Sequence, residues 1–350
     1  MISTLYIHIG RPKVGSTAIQ RFLKFNRSLL LEKGVLYPET GERENASHLL
    51  AEALDLKSDA AGQREELFAA LVRELADSPA QVAVLSSENF YFVDPGLLKK
   101  QFPATVDIKI VCYVRRQDEV LVSSYIQEMK DGSLDPGEEL DLDRYLGNSE
   151  RLRLLDYKHV LDRWAAVYGQ SNIIVRVFEK EQLKGDLFGD IRDVLGLQDD
   201  PAFVVPPNRV NPTPTTDVLE LIKVVNAYDV SPLLKRQLKS RLVELSETLD
   251  YDPAFDAKRA FTPAQRAKAL AGFDASNAAT ARDYLGRSDG VLFRRGVEAG
   301  DDDVALSADK YSLERLAELW LGMLATQQRR INTLERKIQK IYDALQPPED

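Results

Sequence analysis

The sequence predicts an α/β protein built on a mainly parallel sheet with helices on its faces. Three observations predict it: short, continuously apolar runs with β-branched residues, helical stretches between them, and a glycine-bounded loop joining the first run to the first helix. Leu5 to Ile9 is the first run, long enough for one buried strand, and Gly10 ends it. From Ser16 the apolar positions fall at Ile19, Phe22, Leu23, Leu29 and Leu30, a helical spacing with Ser16 or Thr17 placed to cap it. A helical stretch around Glu65 to Ala76 leads to a second strand, Val82 to Ser86. The third and fourth strands are Ile108 to Val114 and Ile173 to Val177. Between them the pattern gives helices over Glu119 to Met129 and Leu152 to Tyr168, the latter marked by Leu155, Val160, Leu161 and Trp164.

After Pro206 the character changes. The segment PPNRVNPTPTT is a proline-rich loop, and Asp217 to Leu285 has helical periodicity with no convincing strand, which predicts a helical cap. The expected organisation is a catalytic domain over residues 1–297, of which 206–297 is mainly the cap, then an acidic linker at 298–310 and a C-terminal helix within 311–350. In that helix, Ile331, Leu334, Ile338, Ile341 and Leu345 step by three and four, a heptad seam of about two repeats. Two readings stand side by side: a helix packed on its own domain, and a short coiled coil joining two copies.

At roughly 150 residues per domain, a chain of 350 suits about two domains, or one large domain with additions. Its net charge of −9 argues against a general nucleic-acid binder, so any basic site is local. One cysteine, Cys112, excludes an internal disulfide, and three histidines exclude a His-rich metal cage. A reducing, cytoplasmic setting is expected. The N-terminus has neither a signal-peptide layout nor the roughly twenty apolar residues of a membrane span. Against the acidic average, Arg11, Lys13, Arg21, Lys24 and Arg27 precede the first acidic residue, Glu32. An anionic ligand is best sought there, although such a run also suits a solvated helix face.

The loop GRPKVGST at 10–17 has glycines five apart, a lysine between them and two hydroxyls at the start of a helix. Glycines let the backbone curl so that successive N–H groups face inward, and the helix N-terminus adds its partial positive charge. Lys13 supplies a full charge, and the Ser16 and Thr17 hydroxyls can donate to the same oxygens. By chance such a match would arise about 0.01 times in a chain of this length and composition. It is not the nucleotide-kinase form, because Ser16 rather than a lysine follows Gly15. The third strand ends in Arg115 and Arg116 rather than in the aspartate that completes a magnesium site. In YVRRQDEVLVSSYIQ, Arg115 ends that strand and Ser123 lies eight residues on, in the next helix, where the two can converge on one phosphate.

Together these motifs resemble the sulfotransferases that use 3′-phosphoadenosine 5′-phosphosulfate (PAPS), most closely the bacterial sulfotransferase-like proteins. The stretch Pro12-Lys13-Val14-Gly15-Ser16-Thr17, with Arg11 before it, matches the family's loop for the 5′-phosphosulfate, while Arg115 and Ser123 match its 3′-phosphate pair. Further likeness lies in SSE at 86–88, WAAVYGQSNIIVRVFE at 164–179 and ASNAATARDYLGRSDGVLF at 275–293, so the resemblance covers roughly residues 1–295. It implies a three-layer parallel sheet of the P-loop nucleoside-triphosphate-hydrolase type, release of 3′,5′-ADP, no metal, and an acceptor hydroxyl or amine, with carbohydrate the favoured class. Lys13 then takes the departing phosphate.

Two residues compete for the role of base. Glu88 follows the second strand, whose carboxyl end should face the ligand crevice, and His48 lies between the first helix and that strand. Each has a plain alternative, Glu88 as a structural cap or ion-pair partner and His48 as a surface or capping residue. His8, inside the first strand, reads as core, and His159 as solvated. Arg209 and Asn211 of the proline-rich loop either reach the 3′-phosphate or stand exposed. The competing functions are a P-loop nucleotide or sugar kinase and a catalytically degenerate nucleotide-binding protein that assembles through its C-terminal helix.

Overall fold

The computed structural model describes residues 2–135, 138, 141–207, 213–247, 256–297 and 313–345. Five strands form one all-parallel sheet in the order β2-β3-β1-β4-β5: β1 (Thr4–His8), β2 (Val35–Leu36), β3 (Val82–Ser86), β4 (Asp107–Val114) and β5 (Ile173–Val177). The apolar runs place four of these strands within a residue or two. Strand β2 has only two residues, too few for any periodicity to announce it. Parallel strands must be joined by crossovers, and helices supply them. They are α1 (Ser16–Phe25), α2 (Arg27–Glu32), α3 (His48–Glu52), α4 (Arg64–Asp77), α5 (Pro95–Lys99), α6 (Gln117–Asp131), α7 (Leu142–Leu146), α8 (Ser149–Leu155) and α9 (Tyr157–Tyr168), and α10 (Leu187–Val194) follows β5.

Two expected helices are each broken in two. Asn26 divides the first: its side chain bonds the Phe22 carbonyl and both the carbonyl and the N–H of Val204, so it is occupied outside the helix. Asp156 divides the second, as N-cap of α9 through the N–H of His159. The chain continues with α11 (Thr216–Ala227), α12 (Pro232–Ser246), α13 (Pro263–Ala271), α14 (Asp274–Leu285) and α15 (Leu313–Leu345).

The described chain divides into two compact units. The first holds residues 1–121, 146–209 and 264–298, and the second 122–145, 210–263 and 299–350. Residues 264–297, expected in the cap, therefore belong with the sheet, because α14 packs on α9 and β5. Residues 298–310, expected as the linker, lie outside the described residues. In the sheet unit a continuous core runs through Leu5, Ile7 and Ile9 of the first strand and its extension to Trp164 of α9. In the second unit Val218 and Ile222 of α11 pack with Leu242 and Val243 of α12, and Met323 joins them from α15. Among the described residues no helix is long and apolar enough to cross a membrane.

His8 is fully buried, with Nδ1 2.8 Å from Ser86 Oγ and its ring edge-on to Tyr113 at 5.7 Å. Burial disfavours the imidazolium and pulls its pKa from 6.5 to about 4. Between those values the unfolded chain binds more protons than the native one, so stability falls as pH falls. The slope from this residue is at most about 1.4 kcal/mol per pH unit, approached near pH 5 and about half that between pH 7 and 6. Denaturant midpoints at pH 7, 6 and 5 are expected to show that slope in the wild type and to lose it in His8→Asn; equal slopes would contradict it.

Candidate functional site

Strand β1 is flanked by β3 and β4, so the connections made through those neighbours leave it in opposite directions and a crevice opens at its carboxyl end. The loop at residues 9–15 fills that place. Ile9 still donates its N–H to the Val111 carbonyl at 2.9 Å, and the chain then turns away at Gly10. No side chain fits at Gly10, where a Cβ would stand 2.4 Å from His8 Nε2. The turn that follows uses the left-handed region twice, at Lys13 (φ 72) and at Gly15 (φ 86). Glycine adopts that region freely; lysine does so at a cost of about 1–3 kcal/mol, the kind of strain that collects at ligand sites.

Gly15, rather than Ser16 or Thr17, is the N-cap of α1, and no side chain caps this end. The helix's first N–H groups therefore face out of its N-terminus with their partial positive charge. The Ser16 hydroxyl has another task than the one expected: it donates to the Arg11 carbonyl at 3.0 Å, closing the loop on itself. Thr17 is exposed, Pro12 is half-buried, and Val14 is packed in the interior.

Gly15→Ala tests the packing. Its Cβ would lie 2.8 Å from Leu187 Cδ2 and 3.0 Å from the Phe178 ring, with positive φ besides. The expected cost is about 1–3 kcal/mol, read as a lower urea midpoint. A variant as stable as the wild type would contradict it.

Behind the loop lies a buried arginine. Arg11 is only 8% exposed, and its Nε and Nη1 have no hydrogen-bond partner among the described residues. Its charge acts on the Tyr91 and Tyr157 hydroxyls, although burial dominates and pushes Tyr157 up to about 12. A buried guanidinium with two unmatched donors calls for an acceptor, and an anion or an ordered water can supply it. The donor set of this loop fits a phosphate or sulfate ester.

Arg115 reaches the same loop from the end of β4. Its Nη1 donates to the Lys13 carbonyl at 3.1 Å, Nε donates to Glu119 at 2.6 Å, and its guanidinium lies 5.7 Å from the centre of the Phe178 ring. Tyr157 fixes its backbone, donating to the Arg115 carbonyl and accepting from the Arg115 N–H. Ser123 is two turns further along α6, half-buried, in the second unit. Arg209 and Asn211 lie outside the described residues.

The two base candidates meet at the carboxyl end of β3. Glu88 begins the turn after the strand, and Gln20 of α1 donates to its Oε2 at 2.6 Å. His48 begins α3 with Nδ1 2.8 Å from the hydroxyl of Ser87, the residue next to Glu88. Strand and helix are stitched at this point by the Ser47 N–H on the Ser86 carbonyl at 2.8 Å. His159 is exposed.

Sequence reasoning passed over four residues that hold this site: Gln20, Ser87, Glu119 and Tyr157. Gln20 alone left a trace, being a polar residue one turn after Ser16 on the face that α1 buries. The others are recognisable only once distant strands are side by side.

No protein-family model matches the chain. Over 180 residues it is 28% identical to an uncharacterized protein of Archaeoglobus fulgidus, a stretch that is 51% of this chain and 46% of that protein. The chain thus spans under half the length of that relative. A crystal structure of a sulfotransferase from Alicyclobacillus acidocaldarius superposes with a TM-score of 0.39 and 16% identity, covering 74% of this chain and 99% of the other.

Proposed function

We propose that the chain is a PAPS-dependent sulfotransferase that moves a sulfuryl group to a hydroxyl or amine of an acceptor, with carbohydrate the favoured class, and releases 3′,5′-ADP. The observation that carries this reading is the hydrogen bond from Arg115 to the Lys13 carbonyl. It joins two motifs 102 residues apart, and those two motifs are the pair that the resemblance assigns to the two phosphate groups of one nucleotide.

In this reading the loop N–H groups and Arg11 hold the 5′-phosphosulfate, and Arg115 with Ser123 holds the 3′-phosphate. The acceptor oxygen or nitrogen attacks sulfur in line as the bond from sulfur to the bridging oxygen breaks. Negative charge develops on that oxygen, where the Lys13 ammonium stabilises it. The acceptor's proton passes to a base at the end of β3. Glu88 accepts a hydrogen bond from Gln20 and His48 is oriented by Ser87, and in this reading either can be the base. Catalysis of this kind is positioning and charge stabilisation, with one proton to remove.

The test is titration of the purified chain with 3′,5′-ADP, followed by transfer of labelled sulfate from PAPS to a panel of saccharides. Binding with transfer supports the proposal. Absence of 3′,5′-ADP binding overturns it, and magnesium-dependent turnover of ATP would replace it with a kinase.

A further inference from the structure

Helix α15 outruns the element it packs on. At 1.5 Å per residue its 33 residues extend about 50 Å, whereas the 15 of α12 extend about 22 Å. The two run antiparallel. Gly322 lies against Leu245, near the end of α12, and a cavity of about 210 Å³ is lined by Leu234 and Leu238 of α12 with Trp320, Leu324 and Arg330 of α15. Past Arg330 the helix leaves α12 behind. Ile331, Leu334 and Ile338 there stand 45%, 51% and 65% exposed, and nothing among the described residues covers them.

The sequence of the helix says what would cover them. Ile331, Leu334, Ile338, Ile341 and Leu345 step alternately by three and four. That is an a/d seam of about two heptads, with Ile331 and Ile338 at a and Leu334 at d, the combination that favours two parallel strands. From 328 to 340 the seam residues are the only apolar ones. So narrow a stripe suits a coiled coil rather than a helix lying on a lipid surface, which needs a broad apolar face.

We propose that α15 pairs with α15 of a second copy of this chain as a parallel, in-register two-stranded coiled coil. Charge supports the direction. In a parallel pair the g position faces the next e position of the other helix, which sets Arg330 against Glu335 twice. Antiparallel pairing turns g toward g, and so brings Arg330 and Lys337 among like charges.

Sedimentation velocity of the intact chain tests this. The expected species has twice the 39.3 kDa of one chain. Ile338→Lys is expected to give a monomer without disturbing the fold, since the side chain is mostly exposed in one copy. Arg330→Glu or Glu335→Arg alone is expected to weaken the dimer roughly tenfold, and the double variant to restore it. A monomeric wild type, a dimer indifferent to Ile338→Lys, or sedimentation of a monomeric chain with anionic phospholipid vesicles would each overturn the proposal.

Discussion

Lys13→Ala is expected to lower sulfuryl transfer about 100- to 1,000-fold while changing the affinity for PAPS, whose bridging oxygen is not yet anionic, far less. The loop itself predicts this separation. Its shape rests on backbone groups: the Ser16 hydroxyl on the Arg11 carbonyl, Arg115 on the Lys13 carbonyl, and the left-handed turns at Lys13 and Gly15. Each of these is made by a group that alanine at position 13 keeps, so the cradle should persist. The lost charge is one that matters most when the bridging oxygen becomes anionic. Removing it raises the barrier more than it weakens the ground state. Rate at saturating PAPS, affinity for PAPS and the thermal midpoint should be measured together. A rate within about threefold of wild type, a factor worth under 1 kcal/mol, would remove Lys13 from the chemistry.

Strand positions and the central loop were legible because they are local: apolar runs set the strands, and a glycine pair with a lysine set the loop. Strand β2 and the helix breaks at Asn26 and Asp156 were not, since each depends on partners elsewhere in the chain. Asn26, for instance, is occupied by Val204. The same distinction divides the site. Lys13, Arg115 and Glu88 carry motif spacing, whereas Gln20 and Ser87 gain their roles only from hydrogen bonds to Glu88 and His48 across the sheet. The Ser16 hydroxyl shows the converse: its type and position suggest a donor to a bound anion, but its bond goes to the loop's own carbonyl. The cap was misjudged at 264–297 because helical periodicity shows that a segment is a helix, not which core its apolar face joins.

Asp118→Ala is the substitution expected to cost the most stability. Asp118 is fully buried at the start of α6, and one carboxylate serves two guanidinium groups. Arg116 donates through Nε at 2.7 Å and Nη2 at 3.0 Å, while Arg266 places Nε at 2.7 Å and Nη2 at 2.6 Å. Burial works against the charge on Arg116, but the carboxylate overrides it and holds its pKa above the ordinary value. Glu119 lies 3.7 Å from Arg116 and is already engaged by Arg115 at 2.6 Å, so it is a weak substitute. Without Asp118, two buried cations face each other uncompensated, and the expected loss is about 3–5 kcal/mol. For a unit of this size that is a thermal midpoint lower by roughly 6–20 °C. The damage should spread in a defined direction. Arg116 also donates to the carbonyls of Arg295 and Gly296, and Glu179 accepts the N–H of Arg294 at 2.9 Å, so this network pins the segment after α14 to the strand ends. Amide exchange at residues 292–297 is therefore expected to rise before the rest of the sheet unit loosens. A variant within about 1 kcal/mol of wild type would mean that water or Glu119 takes over the carboxylate's place, and the network would then be ornamental to the fold. Replacing Asp118, Arg116 and Arg266 together by Leu or Met separates the two costs. Recovery of stability would assign the loss in Asp118→Ala to uncompensated charge rather than to a cavity, because a buried ion network can be exchanged for apolar packing at little net cost.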